Sequence, residues 1–230
     1  MRTFTALFIK QCKDSMRNLP SMMILLIYPA VACIMVTAMG SEEGMSRFFV
    51  TMFGAMHCTF APISIAANIL SEEKEKGTLR SLRMAGVSMV NYLLSLSLFV
   101  ILAAMLTGSL FLMMDSFDTK YAIQFCVTML CGDVLSTLVG LCIGICSKNV
   151  AAANGMAVPV GLVLALLPML ARFNDGIAKA AEYTYSGQIS MLLEGGDVTG
   201  KTIGVCALYF AGLWVALMIL FRRSRTESIQ

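Results

Sequence analysis

Charged residues are scarce in this sequence, and their scarcity restricts its class. Only 13% of the 230 residues are charged, whereas 58% are hydrophobic and the mean hydropathy is +0.79. Soluble domains carry about 25% charged residues, so the composition argues against a water-soluble globule. Disorder is excluded because it requires low hydrophobicity and high net charge. The net charge of +3 is too small to indicate a nucleic-acid partner.

The sequence also lacks the residue clusters of metal and redox sites. Its eight cysteines form no C-x-x-C pair, and seven of them lie inside apolar runs. Such cysteines are typical of small packing residues in membrane helices. There is one histidine, and a single histidine cannot build a metal site. We therefore expect this chain to bind no cofactor or metal.

Six apolar segments are present, each long enough to cross a membrane as a helix of about 20 residues. They cover residues 20–39, 48–70, 90–114, 121–146, 150–170 and 203–221. Before them, residues 1–18 place Phe4, Leu7, Phe8 and Cys12 near one helical face, which predicts an amphipathic helix in the membrane interface. The expected fold class is an all-α membrane protein with six transmembrane helices and this N-terminal interfacial helix.

The distribution of Lys and Arg predicts the orientation. With the N-terminus inside, twelve of these residues lie on the cytoplasmic side and five outside. This predicts a multi-pass protein of the plasma membrane, one transmembrane domain over residues 1–230 with both termini cytoplasmic. Residues 71–89 then form a long cytoplasmic connection. Residues 171–202 form an external one, in which residues 177–193 can make one or two short interfacial or re-entrant helices.

One phosphate-binding motif is present without its structural context. Residues 195–202 read GGDVTGKT and match GxxxxGK[ST] in full. This motif holds phosphates only between a strand and a helix of an α/β domain, whereas here a membrane span follows it. We therefore interpret it as a glycine-rich turn, with Lys201 extending to the membrane interface.

The cytoplasmic connection carries the most information about function. Residues 71–88 read SEEKEKGTLRSLRMAGVS. Ser71 is a candidate helix N-cap, which would place the following glutamates in a positively polarised first turn. Arg80 and Arg83 lie near the other end, and Leu79 and Leu82 form a small apolar edge. The residues alone leave two interpretations open: a solvated charged loop, or a docking surface for a cytosolic partner.

This segment resembles the one between the second and third spans of ABC-2 type permeases, the membrane subunits of ATP-binding cassette exporters. E-K-E-K-G-T-L followed by G-V-S is similar to the family's E-x-E-x-G-T-L and P-V-S pattern, with Arg80 and Gly86 as departures. The matching positions are Glu73, Glu75, Gly77, Thr78, Leu79, Val87 and Ser88. The order of interfacial helix, six spans and two long connections extends the resemblance over essentially the whole chain.

The resemblance implies a transport subunit that is not itself an enzyme. The chain would form half of a translocation pathway with a second permease chain, identical or different, in the lipid bilayer. Two cytosolic ATPase subunits would bind ATP and Mg. The residues expected at the ATPase contact are Glu72, Glu73, Glu75, Gly77, Thr78, Leu79, Arg80, Leu82, Arg83 and Lys148, with residues 4–17 bracing the interface. An apolar, Met-rich pathway favours hydrophobic or amphipathic cargo such as a peptide, a lipid-like molecule or a drug.

Two polar residues inside the predicted spans are candidate pathway residues. A charge at the membrane centre costs about 2.5–3.5 kcal/mol, so Asp133 is either a pathway contact or a protonated acid that donates to Ser136, Thr137 or another helix. His57 is either a pathway contact or a hydrogen-bonded packing residue. A stand-alone channel or secondary transporter would need intramembrane charges in both halves. An intramembrane enzyme would need an acid–base constellation.

Overall fold

The computed structural model describes residues 2–39 and 44–227, and within these ranges it is 87% helix with no strand. A short 3-10 helix, Ser109–Met113, continues the fifth of ten α-helices. The α-helices are α1 (Arg2–Arg17), α2 (Leu19–Met39), α3 (Met45–Glu75), α4 (Thr78–Met84), α5 (Met89–Gly108), α6 (Thr119–Cys146), α7 (Val150–Ala171), α8 (Asp175–Ala181), α9 (Tyr185–Leu193) and α10 (Gly200–Glu227).

Six of these helices are long and apolar enough to cross a membrane, which agrees with the six segments expected from the sequence. They are α2, α3, α5 with its 3-10 extension, α6, α7 and α10. An all-α fold with six candidate membrane-spanning helices is therefore confirmed for the described part of the chain. The short helices α8 and α9 occupy the long connection between the last two of these six.

Helix α3 is the axis of the bundle. In its most apolar stretch 83% of the residues are buried, against 6% for α10, which lies at the periphery. The neighbours of α3 are α6 and α7, with α2 and α5 also in contact. A helix surrounded in this way must be apolar or small on all sides, and α3 meets this requirement mainly with alanines, isoleucines and Ser64 between Ala61 and Leu70.

Two glycines allow α6 to approach α3 closely. A Cβ atom on Gly140 would lie 2.5 Å from the Ile63 carbonyl oxygen, and one on Gly144 would lie 2.9 Å from Leu70 Cβ. Gly140 and Gly144 form a small-xxx-small face of the type that permits tight membrane-helix packing. In the structure this face of α6 packs against α3 of the same chain, and the two helices run parallel.

The prediction that a helix begins at Ser71 is wrong. Helix α3 continues through this region to Glu75, and the Ser71 hydroxyl donates to the Asn68 carbonyl at 3.0 Å inside the helix. The reason is local: residues 72–76 are all strong helix formers. The first residue that interrupts them is Gly77, whose φ of +70° only glycine adopts without strain. The glutamates therefore occupy the last turn of α3, and α4 follows as a separate helix.

Candidate coupling surface at the α4 end of the bundle

The end of the bundle that carries α4, the last turn of α3 and the turn between α6 and α7 is called the α4 end below. There Glu73 on α3 forms an ion pair with Lys10 on α1. Glu73 is only 7% exposed, and Lys10 also lies 3.6 Å from Asp14 on its own helix. Leu7, one turn earlier on α1, is buried in the same core as Leu79 of α4. Helix α1 is therefore fastened to α3 by a largely buried ion pair and by apolar packing.

The next two residues of α3 hold the turn between α6 and α7. The Lys74 ammonium donates to the carbonyls of Ile145, at 2.6 Å, and Ser147, at 2.5 Å. These carbonyls lie at the C-terminus of α6, where they lack partners within the helix. The Glu75 carboxylate accepts from the Val150 backbone N–H at 3.0 Å, at the positively polarised N-terminus of α7.

Glu72 completes this set of contacts. Its carboxylate pairs with Lys76 at 2.5 Å and accepts from the Asn18 side chain at 3.4 Å. The ion pair raises the pKa of Lys76 above its ordinary value. Consecutive helical residues are about 100° apart around the axis. The side chains of residues 72–75 therefore reach different neighbours, and together they join α3 to α1, α6 and α7.

The predicted coupling residues divide by exposure. Arg80, Glu75 and Lys148 are exposed, whereas Glu73 and Leu79 are buried. The half-buried members are Glu72, Gly77, Thr78 and Leu82. The Arg83 side chain lies outside the described residues. The structure therefore brings most of this set to one end of the bundle, but Glu73 and Leu79 serve internal packing.

Sequence reasoning missed the internal partners of this set. It assigned the glutamates to a partner subunit and did not predict the contacts that Lys74, Lys10 and Asn18 make within the chain. The alternation of Glu and Lys at the end of an apolar run could have indicated these contacts. Charged side chains at the end of a helix bundle can bond the unpaired backbone N–H and C=O groups of neighbouring helix termini. The positions of their partners, 54 to 75 residues away along the chain, carry no local signal.

Helix α4 presents its polar side outward. Leu79 and Leu82 pack on the core beneath it, while Arg80, Ser81 and Met84 are exposed. Met84 is 75% exposed, which makes it an apolar contact point beside a positive charge. Long unbranched methionine side chains adapt to irregular partner surfaces. The outer side of α4 can therefore form both polar and apolar contacts.

The two candidate pathway residues are both fully buried in the bundle, on α3 and α6. Neither carboxylate oxygen of Asp133 has a hydrogen-bond partner among the described residues. The expected bonds to Ser136 and Thr137 are not formed, and the Ser136 hydroxyl lies 3.0 Å from the Tyr185 hydroxyl. The Nε2 atom of His57 is 3.1 Å from the Ala104 carbonyl.

The glycine-rich segment before α10 has the form of a turn. Gly195 has a φ of +91°, and α10 begins at Gly200. Helix α9 precedes the segment in place of the strand that a phosphate loop requires. Lys201 pairs with Glu182 and lies 4.6 Å from the centre of the Tyr183 ring, so its ammonium is engaged by the protein. In the described ranges no group of three His, Cys, Asp or Glu residues is arranged to hold a metal.

Comparison with known proteins adds no assignment. No protein-family model matches the chain, and no curated protein matches it.

Proposed function

We propose that the chain is the membrane-spanning permease subunit of an ATP-binding cassette exporter. It forms half of the translocation pathway with a second permease chain, and ATP is bound and hydrolysed in a separate cytosolic subunit. The observation that carries the proposal is the attachment of residues 72–75 to α1, α6 and α7. Because α3 is the axis of the bundle, a displacement at its α4 end moves several spans together.

The outer side of α4 is the contact for the ATPase in this proposal. Arg80 and Met84 are available there, whereas Glu73 acts indirectly, by holding α1 against α3. Lys148 is a second exposed contact, in the turn that Lys74 and Glu75 fix in position. Helix α1 is an amphipathic interfacial helix, with Leu7 toward the core and exposed Lys13 and Asp14 away from it.

The proposal is tested by searching the reading frames next to the one for this chain for an ATP-binding cassette ATPase, expressing that ATPase with the full chain, and measuring ATP hydrolysis in vesicles. Arg80→Glu reverses a charge on the proposed contact, and we expect about tenfold less co-purified ATPase activity. Lys179→Glu makes the same reversal on exposed α8 and serves as the matched control. If the ATPase does not bind the unaltered chain, or if Arg80→Glu and Lys179→Glu behave alike, the proposed coupling is refuted.

The sidedness is tested separately with a cysteine at an exposed position of the α4 end. Lys76→Cys should react with a membrane-impermeant thiol reagent only after the cells are permeabilised, and the unaltered chain gives the background from native cysteines. Labelling in intact cells would place this end outside and would exclude contact with a cytosolic ATPase.

The state of Asp133 favours a second candidate function, a stand-alone channel or secondary transporter. Intramembrane carboxylates commonly mark ion or proton pathways, and Asp133 has no described partner. Vesicles that contain only this chain distinguish the two functions. Ion or proton flux without an ATPase, lost in Asp133→Asn, would favour the second candidate.

A further inference from the structure

Asp133 on α6 is a carboxylate that the described contacts leave unsatisfied inside the bundle. Its side chain is fully buried, and both of its carboxylate oxygens are without a hydrogen-bond partner among the described residues. Burial of an isolated carboxylate is costly, and buried polar groups are normally bonded. Acidic residues inside membrane helices usually face the bundle interior and mark a site for an ion or a proton. The groups around Asp133 decide which ligand can satisfy it.

A second unsatisfied oxygen lies one turn further along α6. Thr137 follows Asp133 by four residues, which places the two side chains on one face of the helix. It is 1% exposed, and its hydroxyl also has no hydrogen-bond partner in the described part of the chain. A threonine inside a helix can bond a carbonyl three or four residues earlier, as Thr59 and Thr107 do. The Thr137 hydroxyl does not, so its oxygen is available to a ligand.

Both residues lie on the side of α6 that faces α3. Asp133 and Thr137 precede Gly140 and Gly144 by seven residues, which is about two helical turns. These two glycines are positions at which α6 touches α3. At the level of Asp133, a Cβ atom on the glycine that precedes it would lie 3.0 Å from Cys58 Sγ. The part of α3 that faces the two unsatisfied residues therefore begins at Cys58.

This part of α3 contains a backbone carbonyl that has lost its usual donor. Pro62 lies inside α3 and has no N–H, so the Cys58 carbonyl lacks the bond from the residue four positions later. Cys58 and Pro62 are both buried, so bulk water does not reach this carbonyl. In a membrane helix, a carbonyl freed by proline must be satisfied by a neighbouring group. Carbonyls of interrupted membrane helices coordinate sodium ions in secondary transporters.

These groups form a set of oxygens with one negative charge. The carboxylate and the carbonyl present only lone pairs, and the hydroxyl can present its own as well. The Cys58 thiol is engaged elsewhere, because it donates to the Ala55 carbonyl at 3.4 Å. Transition metals such as zinc and copper prefer nitrogen and sulfur ligands, and calcium sites usually contain several carboxylates. A single carboxylate between closely packed helices therefore suits a small monovalent cation, which also cancels its charge.

We propose that Asp133, Thr137 and the Cys58 carbonyl bind a dehydrated sodium ion between α3 and α6. The ion pairs with the ionised carboxylate, so the net charge of the site is zero. The hydroxyl and the carbonyl supply two further ligand oxygens. This assigns a ligand to the residue on which the second candidate function rests. It concerns binding alone, and an ion can bind here without crossing the membrane.

The test measures the thermal midpoint of the purified full chain in detergent by circular dichroism at 222 nm. Sodium chloride replaces choline chloride stepwise at constant ionic strength, and potassium chloride is titrated in the same way. At a sodium concentration about 100 times the dissociation constant, the midpoint should lie about 5–11 °C above its value in choline chloride. Potassium should require at least about tenfold higher concentration for the same shift, because the close approach of α3 and α6 favours the smaller ion.

Three variants locate the ion. Asp133→Asn removes the charge but keeps the shape, and it should abolish the rise with sodium. Thr137→Val replaces an unpaired hydroxyl with a methyl group, so it should weaken sodium binding about tenfold without lowering the midpoint in choline chloride. Ser95→Ala is the matched control, because Ser95 is also fully buried with an unpartnered hydroxyl. It lies nine residues, about 14 Å, before Ala104, the α5 contact of His57, and its loss should leave the sodium response unchanged.

Each outcome decides the proposal. Equal midpoints in sodium, potassium and choline overturn it on the unaltered chain, even if a variant fails to fold. A rise with sodium that persists in Asp133→Asn also overturns it, because the ion then binds elsewhere. A response to pH that depends on Asp133, without a response to sodium, would assign a proton to the carboxylate and overturn it too. Sodium binding without ion flux through vesicles would support this proposal and refute the second candidate function, whereas failure of ATPase binding refutes only the first.

Discussion

The contact between α3 and α6 gives the sharpest prediction. Replacing Gly140 with Ala places a Cβ atom 2.5 Å from the Ile63 carbonyl oxygen and 2.9 Å from Ala66 Cβ. The obstructing groups belong to the backbone and to a short side chain, so neither can rotate away. The two helices must separate, and overpacking of this kind costs about 1–3 kcal/mol. The gain in helix propensity from Gly to Ala, about 1 kcal/mol, offsets part of this cost.

A Cβ atom 2.5 Å from a backbone oxygen puts the overpacking cost in the upper part of that range, about 2–3 kcal/mol, so the net loss is about 1–2 kcal/mol. The loss should be larger for Gly140→Val, whose branched side chain needs more space. For a chain of this size, 1 kcal/mol shifts the thermal midpoint by about 2–4 °C. Gly140→Ala should therefore lower the midpoint in detergent by about 2–8 °C, measured by circular dichroism at 222 nm. A Cβ atom added to Gly155 or Gly212 would meet nothing within 4 Å, so the Ala variants at these two positions are matched controls.

These controls should match or slightly exceed the midpoint of the unaltered chain, because the helix-propensity gain meets no steric cost. A midpoint for Gly140→Ala within about 1 °C of the control variants would refute the close approach of α3 and α6. A loss shared by all three variants would show instead that glycine itself is required in these helices. Gly144→Ala, with a Cβ 2.9 Å from Leu70 Cβ, should give a smaller loss.

Three further outcomes follow from other contacts. Lys10→Met leaves the buried carboxylate of Glu73 without its cation and should cost about 1–3 kcal/mol in chemical denaturation, whereas exposed Lys13→Met should have little effect. The ion pair with Lys201 lowers the pKa of Glu182, so its stabilisation is present above the ordinary value of 4.5. This stabilisation is lost as the pH falls through the lowered pKa of Glu182. The difference in thermal midpoint between the unaltered chain and Glu182→Gln should therefore vanish below that pKa. Asp133→Leu should raise the thermal midpoint, because it removes a buried carboxylate without a described partner; a lower midpoint would indicate a bonded carboxylate.

Hydrophobic length predicts the spans well because a membrane helix satisfies its own backbone and needs only a long apolar run. The same reasoning misplaced the end of α3. The glutamates after Leu70 end the apolar run but not the helix, which continues to Glu75. Polarity marks where a span leaves the hydrocarbon, whereas a helix ends where the backbone is interrupted, here at Gly77.

The sequence indicates where the charges between two spans lie, but not what each of them contacts. The segment around Glu73 and Arg80 lies at one end of the bundle, and its role as a contact for a partner stays a prediction. Whether each charge faces outward depends on residues far along the chain, such as Lys10, which buries Glu73. Likewise, Tyr185 is buried in a core with residues far along the chain and lies 3.0 Å from the hydroxyl of Ser136, 49 residues earlier, which no local pattern indicates. Exposure of a charged residue is a property of the assembled bundle.

In the proposed coupling, the contacts of α4 decide how force passes to the spans. A two-residue turn that contains the left-handed Gly77 joins α3 to α4. Leu79 of α4 packs in one core with Leu7 and Ile69. In this proposal, pressure on α4 reaches α1 and α3 together through that core, and the contacts of residues 72–75 carry it on to α6 and α7. Leu79→Ala should accordingly weaken the packing of α4 on the bundle more than a substitution at exposed Arg80, which alters only the proposed contact with a partner.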